Sequence, residues 1–179
     1  MTKVILIFGL IAGGVLAGFL LIMTRLCLEG NMDFDNSEIT GYGIMVIALS
    51  MIFFGIKSYR DNRQNGEIKF VKGLQVGLLI TLTASLLYAI SWEIYYQAIP
   101  DIKDKFMDKY VEYVIEKMKK DGESGTQIEQ TTKEMAAMKE MYKNPFIRFG
   151  MTLAEILPVG IIITLISAGI LRRKEVLPA

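Results

Sequence analysis

The sequence predicts an all-α integral membrane protein: a four-helix bundle with an extracytoplasmic helical hairpin between the third and fourth spans. Hydrophobic residues make up 52% of its 179 residues. They gather into long runs that alternate with charged blocks, and this segregation marks a membrane protein rather than a soluble core. Four runs, at about 4–24, 40–56, 73–96 and 146–171, approach the length of about 20 apolar residues that crosses hydrocarbon. The stretch 97–145 is charged but nearly balanced, and its apolar residues recur at helical spacing. One membrane domain with a hairpin insertion is therefore expected.

The first run, "VILIFGLIAGGVLAGFLLIMT", follows Lys3 and leads straight into Arg25. It is too long for the apolar core of a signal peptide, so an uncleaved helix is expected. Within it, Gly9-x-x-x-Gly13 and Gly14-x-x-x-Gly18 form small-residue ridges, suited to packing inside the bundle or to homodimerisation. The second run is short for a span and calls for tilt or a thinned bilayer. The third carries Ser85, Tyr88 and Ser91 at three-residue steps, a modest polar face, and ends in Trp92, Tyr95 and Tyr96, where an interfacial aromatic belt belongs. In the hairpin, Pro100 opens the first helix with Asp101 as its N-cap, and Ile102, Phe106, Tyr110, Tyr113, Val114 and Met118 form an apolar stripe. "DGESG" at 121–125 ends that helix. Thr126 and Glu129 are read as a capping box for the second, whose sticky face holds Ile128, Met135, Met138 and Met141 or Tyr142. Either the two stripes pack on each other or on the membrane surface, or they form a docking surface for a membrane-protein partner. Asn144 and Pro145 then cap the fourth span.

Lysine and arginine placement sets the expected orientation. The loop 25–39 offsets Arg25 with Glu29, Asp33, Asp35 and Glu38. The loop 57–72 holds Lys57, Arg60, Arg63, Lys69 and Lys72 against Asp61 and Glu67, and the tail adds Arg172, Arg173 and Lys174. Both termini and the basic loop are thus expected in the cytoplasm, the basic loop touching anionic headgroups or a cytoplasmic partner.

Composition narrows the chemistry. There is no histidine, so the commonest general base and metal ligand are missing. Cys27 is the single cysteine, which rules out an internal disulfide or a Cys-rich metal site, and "TRL" before it is no lipidation signal. The predicted spans contain no aspartate, and no Walker or Rossmann glycine pattern occurs. No cofactor and no metal are expected, and a net charge of +1 gives no ground for nucleic-acid binding.

Residues 53–97, "FFGIKSYRDNRQNGEIKFVKGLQVGLLITLTASLLYAISWEIYYQ", residues 141–174, "MYKNPFIRFGMTLAEILPVGIIITLISAGILRRK", and the "YVEYVIEKMKK" helix together resemble the domain-of-unknown-function 4199 family. The resemblance runs through nearly the whole chain in order. It implies a small four-span protein of a bacterial inner membrane, of Bacteroidetes type, and brings no assigned activity and no functional residues.

Candidate residues therefore come from the membrane segments. Glu155, within "MTLAEILPVG", lies about 13 Å below Phe146 in a hydrocarbon core about 30 Å thick. A carboxylate at that depth must face the bundle or be protonated. Arg148, Thr152 and Glu155 share a helical face, and Pro158 should kink the helix and free the carbonyl of Ala154 beside the acid. The stripe is either a proton or cation site or a buried bond locking helix register. Glu93 reads as an interfacial carboxylate, or as a second acid sharing a cavity with Glu155 and with Arg148 or Arg25. Three functions follow. The first, and the expected one, is a non-enzymatic accessory or interaction subunit, with the 97–145 hairpin as its external contact surface for a second copy or a membrane-protein partner. The second is a small proton- or cation-handling transporter or channel component centred on Glu155. The third is a membrane enzyme with the glutamates as acid and base.

Overall fold

The computed structural model describes residues 1–30 and 34–172, without the side chains of residues 34–38 and 104. Asp33, Arg173 and Lys174, and the side chains of Asp35 and Glu38, which entered the charge count above, lie outside the described residues. The order is α1 (Thr2–Leu28), α2 (Phe34–Leu49), α3 (Met51–Arg63), α4 (Phe70–Ala98), α5 (Pro100–Lys120), α6 (Gly125–Tyr142) and α7 (Pro145–Leu171). The described residues contain no strand. Among the described residues four stretches are long and apolar enough to cross a membrane: Thr2–Leu28, Ile39–Arg63, Phe70–Ala98 and Pro145–Leu171. Leu6, Ile7, Leu10, Val46, Ile47, Leu82, Ile162, Ile166 and Ile170 are all exposed on them. Helices apolar on the outside as well as the inside are what a bilayer selects. The protein is an all-α membrane helical bundle.

The second span is made of two helices. At Ser50 the backbone N–H reaches the carbonyls of both Val46 (3.0 Å) and Ile47 (3.2 Å), and the Ser50 carbonyl accepts from Phe53 N at 3.0 Å. Ser50 Oγ donates to the Ile47 carbonyl at 2.6 Å. The hydroxyl thus helps satisfy backbone groups where the turn tightens, which makes the irregularity tolerable within lipid. Because the span continues to Arg63, its length needs no thinned bilayer. Lys57, Arg60 and Arg63 consequently sit on the last turns of α3 rather than in a loop, Lys69 is the N-cap of α4, and Lys72 lies in its first turn.

Helix α4 is central, packing along α1 on one side and α7 on the other. The α4–α7 seam is built from small residues at four-residue steps. A Cβ on Gly77 would stand 2.5 Å from Thr164 Cγ2, one on Gly160 2.3 Å from Thr81 Cγ2, and one on Gly73 3.3 Å from the Ala168 Cβ. Close approach lets Thr81 Oγ1 reach Thr164 Oγ1 at 3.1 Å and the Gly160 carbonyl at 3.3 Å. In α1 the two glycine ridges separate. Gly9 and Gly13 press on Thr83 and Ala84 of α4, whereas Gly14 and Gly18 have open space beside them. Between the helices, Leu49, Ile52, Ile56, Val76, Ile80 and Ile156 are fully buried.

The hairpin folds back over one end of the bundle. Its first helix has Ile99 as N-cap, not Asp101, which instead pairs with Lys105 at 2.7 Å within the first turn. The capping box of α6 is Ser124 with Gln127 rather than Thr126 with Glu129. Ser124 wins because Gly122, at φ +77°, turns the chain early enough for Ser124 to be the last extended residue. Asn144 does cap α7, its side chain accepting from Phe146 N at 2.9 Å. Lys139 of α6 pairs with Asp108 of α5, and Lys109 Nζ donates to the Leu28 carbonyl at 2.5 Å, tying α5 to the end of α1.

Candidate functional site

Two constellations lie at the hairpin end, and they divide the candidate residues between them. The first is a latch around Arg148. Its Nε donates to Glu93 Oε2 at 2.8 Å and its Nη2 to Glu93 Oε1 at 2.5 Å. Its Nη1 donates to the Tyr142 carbonyl at 2.8 Å. The guanidinium carbon lies 3.9 Å from the centre of the Tyr96 ring, close enough for a cation–π contact. Gln97 Nε2 adds a further bond to Glu93 Oε1 at 2.5 Å. The Arg148 side chain is 3% exposed and that of Glu93 19%. Such a bidentate, capped pair carries no net charge.

The latch answers where Glu93 and Arg148 belong. Arg148 lies near the start of α7 and Glu93 near the end of α4, so antiparallel packing brings them to one level. Glu155 is about two turns further along α7, about 10 Å away along the axis. Glu93 therefore pairs with Arg148 and does not share a cavity with Glu155. Arg25 joins neither glutamate; it pairs with Glu29 on its own helix at 2.7 Å. Thr152 Oγ1 turns back to the Arg148 carbonyl at 3.0 Å, a bond internal to the helix.

Next to the latch the aromatic residues form a base for the hairpin. Trp92 and Tyr96 are buried, at 3% and 5% exposure, together with Ile102. Instead of facing a membrane interface as an aromatic belt would, the Trp92 indole meets Phe106 with ring centres 5.0 Å apart and donates from Nε1 to the Tyr142 hydroxyl at 2.8 Å. Tyr142 in turn packs edge-on to Tyr96 at 5.6 Å. Burial raises the Tyr142 hydroxyl above the ordinary tyrosine pKa. The hairpin stripe is thus turned inwards, and Tyr142 rather than Met141 continues it; Met141 is exposed.

The second constellation is a cavity of about 420 Å³ under the hairpin. Its walls come from α1 (Phe19, Met23 and Thr24 among them), α2 (Tyr42, Met45) and α4 (Tyr88, Trp92). The hairpin supplies Phe106, Met107, Tyr110, Tyr113 and Met138, and α7 supplies Thr152 and Glu155. Among the described residues of this lining Glu155 is the acidic one, and it is exposed while its neighbour Ile156 is fully buried. Helix α7 continues through Pro158 to Leu171. Ala154 and Pro158 lie on an exposed face and do not line the cavity, so the proline and the carboxylate do not build a joint pocket. Among the described residues no group of three or more His, Cys, Asp or Glu is placed to hold a metal ion.

Sequence reasoning missed the contribution of α2, through Tyr42 and Met45, because nothing local ties them to Glu155. It also missed the α4–α7 seam, where threonine and alanine stand opposite glycine. One signal was available: a hairpin stripe carrying Tyr110 and Tyr113 rather than leucines suits the wall of a partly polar cavity better than a dry core.

Fold and site together define the class, a multi-pass helical membrane protein whose hairpin roofs an aromatic cavity with Glu155 in its wall. A family model described as a protein of unknown function (DUF4199) matches residues 7–173, and the chain belongs to that family. No curated protein and no solved structure matches it.

Proposed function

We propose that this is a non-enzymatic multi-pass protein of the bacterial inner membrane that handles protons or cations at Glu155, reached through the cavity under the hairpin. The observation that carries the reading is the cavity itself: it brings an acidic side chain, aromatic faces and space together within a membrane bundle. The latch supports it by leaving Glu93 neutralised and outside the cavity lining. An enzyme working with the two glutamates as acid and base would need both at one substrate-sized pocket. The alternative, an accessory subunit whose hairpin docks a partner, has less support because Ile102, Phe106, Tyr110, Tyr113, Met138 and Tyr142 of the hairpin are taken up by the cavity and the aromatic base, which leaves mainly its tip residues such as Val114, Met118 and Ile128 for a partner.

The test is flux. Wild type and Glu155→Gln are reconstituted into liposomes holding a pH- or cation-sensitive dye. Wild type is expected to dissipate an imposed gradient and the variant to lose that activity. Wild type indistinguishable from protein-free liposomes overturns the reading. We further propose that both termini face the cytoplasm, since Lys57, Arg60, Arg63, Lys69 and Lys72 gather at the end of the bundle opposite the hairpin. Cys27 is buried but lines the cavity, so thiol labelling is done on a Cys27→Ser background. A membrane-impermeant maleimide should label Lys119→Cys on intact cells and Asn62→Cys only after permeabilisation; the reverse pattern inverts the topology.

A further inference from the structure

The walls around Glu155 discriminate between kinds of cation. A dehydrated inorganic ion needs a shell of several oxygens, about six to eight for calcium and six in near-octahedral array for magnesium. Among the described residues this cavity presents the Glu155 carboxylate, the hydroxyls of Thr24 and of Thr152, the latter already donating to the Arg148 carbonyl, and scattered tyrosine hydroxyls. What it has in abundance is π-surface and polarisable sulfur: Tyr42, Tyr88, Trp92, Phe106 and Tyr110 face the same space, as do Met45 and Met138. Aromatic faces stabilise an organic ammonium without replacing a hydration shell, most strongly where water is excluded. Methionine side chains adapt to the irregular apolar body attached to such a charge. The volume of about 420 Å³ falls in the range of small-molecule sites.

Resting on the cation-handling reading above, we propose that the cavity is a binding site for a lipophilic organic cation. Such a ligand is an ammonium, or similarly diffuse positive charge, carrying an aromatic or aliphatic body. Its charge lies against Glu155, and its apolar body lies among the rings contributed by α1, α2, α4 and the hairpin. The hairpin is then part of the site rather than an appendage, since Phe106 and Tyr110 belong to it.

Trp92 is the only tryptophan of the chain and lines the cavity, so its emission reports occupancy. The purified full-length protein in detergent is titrated with benzyltrimethylammonium, with its uncharged isostere neopentylbenzene, and with potassium and calcium chloride. A saturable change in Trp92 emission is expected for the organic cation and none for the two salts. Glu155→Gln, an exposed isosteric change, is expected to weaken the organic cation by about tenfold or more and to leave the isostere unaffected. Tyr110→Leu is expected to weaken the cation more than the isostere. Equal affinity for cation and isostere in the wild type, or an unchanged cation affinity in Glu155→Gln, overturns the proposal. Glu155-dependent proton or potassium flux without organic-cation binding would sink this inference while leaving the broader function standing. The absence of both would remove the two together.

Discussion

Removing one partner of the Arg148–Glu93 latch should cost more than removing both. Their attraction is worth about 4 kcal/mol at a separation of 4 Å and an effective dielectric near 20. The desolvation of two ions offsets most of it, so the pair adds little over an apolar pair of similar shape. Removing one partner is different, because it strands a charge. With side chains 3% and 19% exposed, neither group can rehydrate fully, and either single loss should cost about 3–5 kcal/mol. Arg148→Leu also gives up the bond to the Tyr142 carbonyl and the contact with Tyr96. Glu93→Leu leaves the more deeply buried member behind. The double variant strands no charge; it loses the Tyr142 bond, about 1.5–3 kcal/mol for a charged donor, with the Tyr96 contact and the exposed Gln97 bond. It should therefore be no less stable than either single variant. The measurement is detergent-induced unfolding in mixed micelles, with Trp92 emission following the hairpin and far-ultraviolet circular dichroism following the helices. A double variant whose loss equals the sum of the singles to within about 0.5 kcal/mol would refute the reasoning, since additivity means independent sites.

Other expectations concern the seam and the hairpin. Gly160→Ala would set a methyl against the stiff, branched Thr81 side chain and should cost about 1–3 kcal/mol in the same unfolding assay. Gly14→Ala meets open space and should be neutral or stabilising by up to about 1 kcal/mol; a large loss there would point to a contact with a second copy. Tyr142→Phe removes the acceptor of the Trp92 indole N–H and should shift Trp92 emission to shorter wavelength at a cost of about 1 kcal/mol. Burial holds the folded-state pKa of the Tyr142 hydroxyl above its unfolded value of about 10. Its contribution is therefore complete below that pH and falls away as the pH rises further. Tyr142→Phe should accordingly flatten the alkaline arm of the stability profile; an unaltered arm would assign it to other groups.

How far the chain could be understood before folding depends on the range of each interaction. The apolar runs around residues 4–24, 73–96 and 146–171 announce membrane helices because bilayer thickness acts on each segment by itself. Asn144 and Pro145 likewise announce the start of α7, since a cap reaches only its own first turn. Short-range rules still failed where neighbours competed: Ser124 displaced Thr126 as the cap, and α3 ran on past residue 56 to carry Lys57, Arg60 and Arg63. Of the candidate site, the sequence singled out Glu93, Arg148, Thr152 and Glu155, because polar groups in apolar runs are conspicuous.

How those four residues would associate was decided only by tertiary structure. Arg148 and Glu155 share a helical face, and periodicity alone could link them. Yet ion pairing is governed by separation, and antiparallel packing places Glu93 of α4 within 2.5 Å of Arg148. The same packing turned the tryptophan and tyrosines at the end of α4 from an expected interfacial belt into the seat of the hairpin, and brought Tyr42 of α2 to the cavity of Glu155. Span length, hydropathy and caps are properties of a segment and its solvent, so the sequence by itself determined them. Pairing and enclosure join residues such as Glu93 and Arg148, far apart along the chain, so only the packing of the helices could decide them.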